Sequence, residues 1–234
     1  MVSKELNHSN KKSAKIVGAL FLTAMAASLV GGFGFIEPVL SAPDPLMAAS
    51  EHETQIVIGV LLELINAISV LGIAAFMFPI LKQFNEKFAL GYLGFRIIEV
   101  VWCSMIVVSP LALISLGQAS LQTGAADAPG FAAASVSLLA IRAAVANLLI
   151  PVFFSLGALL LYSAMYQSRR LPRFISVWGL IAVALVIVLN LLSTFNIEVS
   201  LNISMLFALP IITNEIFLGI WLLVKGFNTP VEQQ

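Results

Sequence analysis

Five ionisable side chains lie within long apolar stretches of the chain: Glu63, Arg96, Glu99, Arg142 and Glu215. The amides Asn66, Asn147, Asn190 and Asn214 fall in the same stretches. The segment "GFRIIEVVW" (94–102) shows the pattern at its sharpest, an arginine and a glutamate three residues apart among isoleucines and valines. A charged side chain placed in hydrocarbon costs about 2.5–3.5 kcal/mol on insertion scales. Groups of this kind therefore turn toward one another or toward water. The chemistry open to them is binding of a small molecule or ion, or acceptance of a proton or cation in a transport cycle. The plainer role is polar glue between helices.

Spacing supports local pairing. Residues three apart share one helix face, so Arg96 and Glu99 are expected to meet, and Glu63 and Asn66 likewise. Ile97, Ile98, Val100 and Val101 can then cover the rest of that helix. Depth follows from about 1.5 Å of rise per residue. Counted from Lys87 and Lys225, Arg96 lies about 14 Å in, Glu99 about 18 Å and Glu215 about 15 Å, around the midplane of a hydrocarbon core near 30 Å. Glu63 and Arg142 fall about 28–30 Å from the same side, and Asn66, Asn147 and Asn190 at roughly 22–26 Å. The expectation is a polar column: a cavity open to the outside, with Arg96, Glu99 and Glu215 at its floor and Arg142 and Glu63 near its mouth. The spans hold three acids against two arginines. Glu215 has no basic residue near it in its own span, which makes it the surplus carboxyl, able to accept a proton or a cation.

Other chemistry lacks its usual residues. His8 and His52 are the only histidines and neither lies in a span, so haem, zinc and di-iron readings lack ligands and no cofactor is expected. No H-E-x-x-H, P-loop or G-x-G-x-x-G motif occurs. "GGFGF" (31–35) is explained better by close helix packing than by phosphate binding. Serine chemistry at Ser104, Ser109 or Ser155 would need a base, and no lysine or histidine is near them in sequence. Cys103 reads as a small buried hydrophobe. Pro151 and Pro210 are expected to interrupt their helices, and Pro210 stands just before Asn214 and Glu215.

These residues need a frame. The chain has 234 residues, 60% hydrophobic and only 10% charged, with mean hydropathy +1.02. Soluble domains carry roughly 25% charged residues, so the class is an integral membrane protein, with the lipid bilayer as its partner. Twelve basic and twelve acidic residues cancel, and no nucleic-acid partner is expected. Six runs are long enough to span a bilayer, at about 16–37, 56–80, 88–114, 136–164, 173–195 and 202–225. The fourth apolar stretch begins near Phe131 and exceeds what a bilayer needs, so it tilts or projects. The first run is too long for a cleaved signal peptide. The fold expected is an all-α bundle of six transmembrane helices. A single domain (13–227) is flanked by short mobile tails (1–12 and 228–234).

Orientation follows from the basic residues. They occupy the N-terminal tail (Lys4, Lys11, Lys12, Lys15), alternate connections (Lys82, Lys87; Arg169, Arg170, Arg173) and the C-terminal end (Lys225). The intervening connections carry only acids, Glu37, Asp44, Glu51, Glu53, Asp127 and Glu198. Both termini are therefore expected in the cytoplasm. Tyr92, Tyr162, Tyr166, Trp178 and Trp221 fall near the same end, as an interfacial aromatic belt would.

The stretch "LLELINAISVLGIAAFMFPILKQFNEKFALGYLGFRIIEVVW" (61–102), with its "FPILK" and "GFRIIE" elements, resembles the bacterial membrane-protein family called domain of unknown function 4386. The resemblance covers about residues 12–226. It implies a multi-pass protein of the bacterial inner membrane and brings no activity or site residue with it. Three roles remain open from the residues: a binding or transport protein using the polar cavity, a non-catalytic interaction or sensor protein whose charges specify packing, and an intramembrane lipid-modifying enzyme. The last lacks a convincing nucleophile or base.

Overall fold

The computed structural model describes residues 2–123, 129–195, 197 and 199–228; for residues 2–10 and for residue 201 only the backbone is described. Asp127, Glu198 and positions 229–234 of the C-terminal tail lie outside the described residues. Among the described residues the regular structure is entirely helical. Ten α-helices run in order: α1 (Val2–Ser28), α2 (Glu37–Leu40), α3 (Pro45–Glu51), α4 (Glu53–Lys82), α5 (Glu86–Met105), α6 (Val108–Thr123), α7 (Pro129–Ala144), α8 (Ile150–Ser168), α9 (Arg173–Thr194) and α10 (Leu201–Val224). Two π-helical segments, Leu29–Ile36 and Val145–Leu149, join α1 to α2 and α7 to α8. Residues 2–12 continue α1 without a break.

Six helical stretches are long and apolar enough to cross a membrane: Lys11–Leu40, Glu53–Lys82, Glu86–Thr123, Pro129–Ser168, Arg173–Thr194 and Asn202–Val224. They match the six expected runs. The third and fourth are longer than expected, at 38 and 40 residues. At about 1.5 Å per residue each reaches roughly 60 Å, about twice the hydrocarbon thickness. Their extra length, α6 and the first half of α7, projects as a pair. The short helix α3 packs against it, started by Asp44, whose side chain accepts from the Leu46 and Met47 amides at 3.1 Å.

The spans form a ring in chain order. Each packs on its sequence neighbour, and α10 closes the ring against α1. The closure is tight because Gly18 and Gly219 face each other; a Cβ at Gly18 would lie 2.6 Å from the Gly219 carbonyl oxygen. Gly31 and Gly59 bring the first two spans together in the same way, since a Cβ at Gly31 would sit 2.7 Å from Leu62. That accounts for the "GGFGF" run as a packing device.

Two apolar cores result. The larger fills the ring from residues such as Ala14, Ile80, Leu161, Ile175 and Leu222. The smaller joins the projecting part through Ile36, Leu46, Ile56, Leu113 and Ile114. Because consecutive spans run in opposite directions, the lysines and arginines outside the spans gather at one end, here called the basic end. There the connections interlock: Arg170 donates to the Gln83 side chain, and the Asn228 amide donates to the Arg170 carbonyl at 2.8 Å.

Candidate functional site

Tyr92, Arg96, Glu99 and Cys103 recur at i, i+4, i+7 and i+11 of α5, which makes them one stripe, and all four are buried. The opposite side of the helix, Ile97, Ile98 and Val101, is exposed on the outside of the bundle. The Arg96 Nη1 donates to both Glu99 carboxylate oxygens at 3.0 Å. Its guanidinium packs between the rings of Tyr92 and Phe154, 5.5 and 5.2 Å from their centroids. Gly157 packs beside it; a Cβ there would meet Arg96 Nε at an ordinary contact distance of 3.5 Å. A charged pair thus sits in a greasy segment because that face never meets lipid.

Glu215 lies on the inward stripe of α10, between the buried Ile211 and Leu218. It has no ion-pair partner among the described residues, in contrast to Glu99. Around this group several buried polar atoms find no protein partner: Tyr92 Oη, Arg96 Nε, Ser155 Oγ, Tyr162 Oη and Asn214 Oδ1.

Nearer the other end of the spans lies a cavity of about 780 Å³. Glu37, Glu63, Asn66, Arg142 and Asn147 provide its polar lining, and Phe33, Leu139 and Ile150 much of its apolar wall. Arg142 is its fixed point: Nη2 donates to Glu37 Oε1 at 2.7 Å and Nη1 to the Ile106 carbonyl at 3.0 Å. Glu63 is buried and has no lysine or arginine within ion-pair distance among the described residues. It is seated against Gly32, where a Cβ would come within 2.8 Å of its Oε1. Both π-helical segments border this cavity, one through Gly32 and Phe33, the other through Ala146 and Asn147. A π turn displaces the side chains that follow it from the regular helical face, and such turns recur at binding sites.

A second cavity of about 500 Å³ adjoins the other side of the Val145–Leu149 segment, lined by Asn147, Asn190, Ser193 and Ser204. Asn190 donates through Nδ2 to the Asn147 carbonyl, an oxygen whose regular helical donor would be Pro151, which has no N–H. Asn147 lines both spaces. Among the described residues no three histidine, cysteine or acidic side chains come together as metal ligands.

The family described as "Domain of unknown function (DUF4386)" matches residues 16–226, nearly the whole chain. The chain belongs to that family. No curated protein and no solved structure matches it.

In this DUF4386 chain the nine polar residues singled out from sequence divide into three groups. Glu63, Asn66, Arg142 and Asn147 share the larger cavity. Arg96, Glu99 and Glu215 do not line it; they sit deeper, with Cys103 of the lining one helical turn above Glu99. Asn190 faces the second cavity, and Asn214 is fully buried with Nδ2 donating to the Ile175 carbonyl, tying α10 to α9. Three residues were missed. Glu37 read as an acid of the connection after the first span, but that span runs on to Leu40. Tyr92 and Tyr162 read as interfacial, yet both rings are buried in the ring of helices, Tyr162 against Gly179. Pro151 stands at the start of α8, just after the π segment, whereas Pro210 lies inside a continuous α10.

Proposed function

We propose that this is a multi-pass protein of a bacterial inner membrane, with both termini in the cytoplasm, that binds a small organic cation from the outer side for capture or transport. The observation that carries the reading is the charge arrangement of the larger cavity. Two carboxylates face it against one guanidinium, and Arg142 is committed to Glu37. Glu63 is left as the acid without a cation, in a space with an apolar wall large enough for a small molecule. A buried carboxylate so placed favours an ammonium group, whose charge replaces the missing partner. The adjoining π segments support the reading, since they interrupt the regular α-helix of the first and fourth spans where those spans border the cavity. The basic end supports the orientation.

Calorimetry with purified protein in lipid nanodiscs tests it. Tetramethylammonium is expected to bind and sodium acetate to give no comparable signal. Glu63→Gln is expected to weaken tetramethylammonium at least about tenfold, the equivalent of roughly 1.4 kcal/mol. Equal binding to wild type and Glu63→Gln would end the cation reading. Native mass spectrometry of the same preparations would show whether a cationic metabolite accompanies the wild type and leaves in the variant.

A second reading, a non-catalytic interaction or sensor protein, draws on the Arg96–Glu99 pair. Its two members are satisfied by each other and closed in by aromatic rings, as a packing element would be. A wild-type protein that binds neither small cations nor metabolites in several detergents would favour it.

A further inference from the structure

The cavity of about 500 Å³ beside the Val145–Leu149 segment differs in chemistry from the larger one. None of the side chains lining it carries a charge. Its polar lining comes from three spans: Asn147 of the fourth, Asn190 and Ser193 of the fifth, and Ser204 of the sixth. Pro151, Val186 and Leu189 supply an apolar wall. Small-molecule sites of this size pair such a wall with a few placed polar groups.

Asn190 is the most buried of the polar lining, at 8% exposed. Its Nδ2 donates to the Asn147 carbonyl, which takes no regular helical donor because Pro151 stands four residues on. A carbonyl only accepts, so this bond orients the Asn190 amide. Its Oδ1 is left as an acceptor, and among the described residues no donor is bonded to it. The hydroxyls are open as well. Serine and threonine in helices can turn back onto the carbonyl one turn earlier. Ser69 does so to Ile65, Ser104 to Val100 and Thr213 to Leu209, at 2.7–2.8 Å. Among the described residues, the hydroxyls of Ser193 and Ser204 and the side-chain amide of Asn147 have no such protein partner.

We propose that this second cavity binds an uncharged molecule bearing several hydroxyls: a polyol, free in solution or as the glycerol headgroup of a neutral lipid. An ion would find no counter-charge here. The Asn190 Oδ1 needs a donor from the ligand, while the Asn147 amide and the two serines both donate and accept. Hydroxyls meet all of these at once, and the C–H side of a polyol rests on Pro151, Val186 and Leu189. Depth admits both sources. Counted from Arg173 and Lys225 at about 1.5 Å per residue, Asn190, Ser193 and Ser204 lie about 26–32 Å from the basic end, at the outer boundary of a hydrocarbon core near 30 Å. The site is distinct from the cation site beside Glu63 and does not rest on it, although Ala146 and Asn147 belong to both linings.

Saturation-transfer NMR with mannitol, on protein in lipid nanodiscs and on empty nanodiscs, tests the proposal. Mannitol should receive saturation from the wild type and none from empty nanodiscs. Ser193→Ala should weaken it roughly three- to tenfold, the loss of one neutral hydrogen bond. Ser204→Leu, which fills the cavity, should abolish the signal, and Glu63→Gln should leave it unchanged. Melting curves confirm that each variant is folded. If mannitol gives no signal, nanodiscs doped with monoolein test the lipid source: native mass spectrometry should find monoolein retained by the wild type and lost from Ser204→Leu. Binding of neither probe overturns the proposal, as does binding that persists unchanged in both folded serine variants. Mannitol lost in Glu63→Gln but kept in Ser204→Leu would place it in the larger cavity and also overturn it. If mannitol binds and tetramethylammonium does not, the cation reading falls and the polyol site stands. If tetramethylammonium binds and neither mannitol nor monoolein does, the reverse holds.

Discussion

Arg142 of the fourth span and Glu37 of the first meet at 2.7 Å, joining points 105 residues apart across the larger cavity. The same guanidinium holds the Ile106 carbonyl, at the junction where α5 gives way to α6. One side chain therefore links three spans near the places where each of them leaves the regular α-helix. Glu37 is close to half-exposed, so the ion pair alone is a modest contributor. The fixed geometry of both contacts is what an arginine supplies and a lysine does not.

Arg142→Met is expected to lower stability by about 1–3 kcal/mol, the cost of stranding a hydrogen-bonded carbonyl and a carboxylate. Arg142→Lys should recover only part, because one ammonium cannot hold both acceptors in the fork that a guanidinium offers. Thermal unfolding of the three proteins in one detergent measures the order. A lysine variant as stable as wild type would show that charge, not geometry, is what matters there.

Removing one partner of the Arg96–Glu99 pair should be costly and removing both should not. A single Arg96→Met or Glu99→Leu leaves a bare charge in the interior, at about 3–5 kcal/mol. The double variant replaces both by apolar groups of similar size and should recover most of that loss. Unfolding of the two singles and the double closes a mutant cycle. Independent, additive losses would mean that the pair does not act as a unit.

Two glycines make a matched test of how closely the helices approach. A Cβ at Gly179 would lie 2.4 Å from the Tyr162 ring, which has no room to withdraw from the buried interior. Gly179→Ala should destabilise by about 1–3 kcal/mol through overpacking. At Gly94 nothing lies within 4 Å of the added atom, and the residue sits inside α5. Gly94→Ala should therefore be neutral or stabilising by about 0.5–1 kcal/mol, the helix-propensity difference. Thermal melts of both variants check the contrast, and a destabilising Gly94→Ala would mean that this face packs against something further.

How far the sequence carried the reading depends on the range of each signal. Hydropathy is summed over some twenty residues, so all six spans were legible. The Arg96–Glu99 contact was legible because helical spacing alone brings residues three apart together. Partners on different spans were not: nothing local to Arg142 names Glu37, and nothing local to Asn190 names Asn147. The π segments were also invisible, since Leu29–Ile36 and Val145–Leu149 are as apolar as ordinary helix, and only the packing around them shows the extra residue per turn. Tyr92 and Tyr162 were misplaced for a related reason. Their depth fitted an interfacial belt, but depth does not say which way a side chain points. Facing inward, Tyr92 lies against the Arg96 guanidinium and Tyr162 against Gly179.

The orientation of the bundle can be settled with the chain's one cysteine as background. Cys103 is buried, so an impermeant maleimide should react poorly with the wild type. His52 and Lys87 are both exposed and lie at opposite ends of the spans, His52 between α3 and α4 and Lys87 in the first turn of α5. If the basic end faces the cytoplasm, His52→Cys should label in intact cells, while Lys87→Cys should label only after the membrane is opened. The physical cause is the retention of lysine and arginine on the cytoplasmic side during insertion. Both substitutions are at exposed positions, so each variant should insert as the wild type does. Labelling of Lys87→Cys in intact cells, with His52→Cys protected, would turn the molecule over. The larger cavity would then open to the cytoplasm, and a cation bound beside Glu63 would have to be drawn from inside the cell.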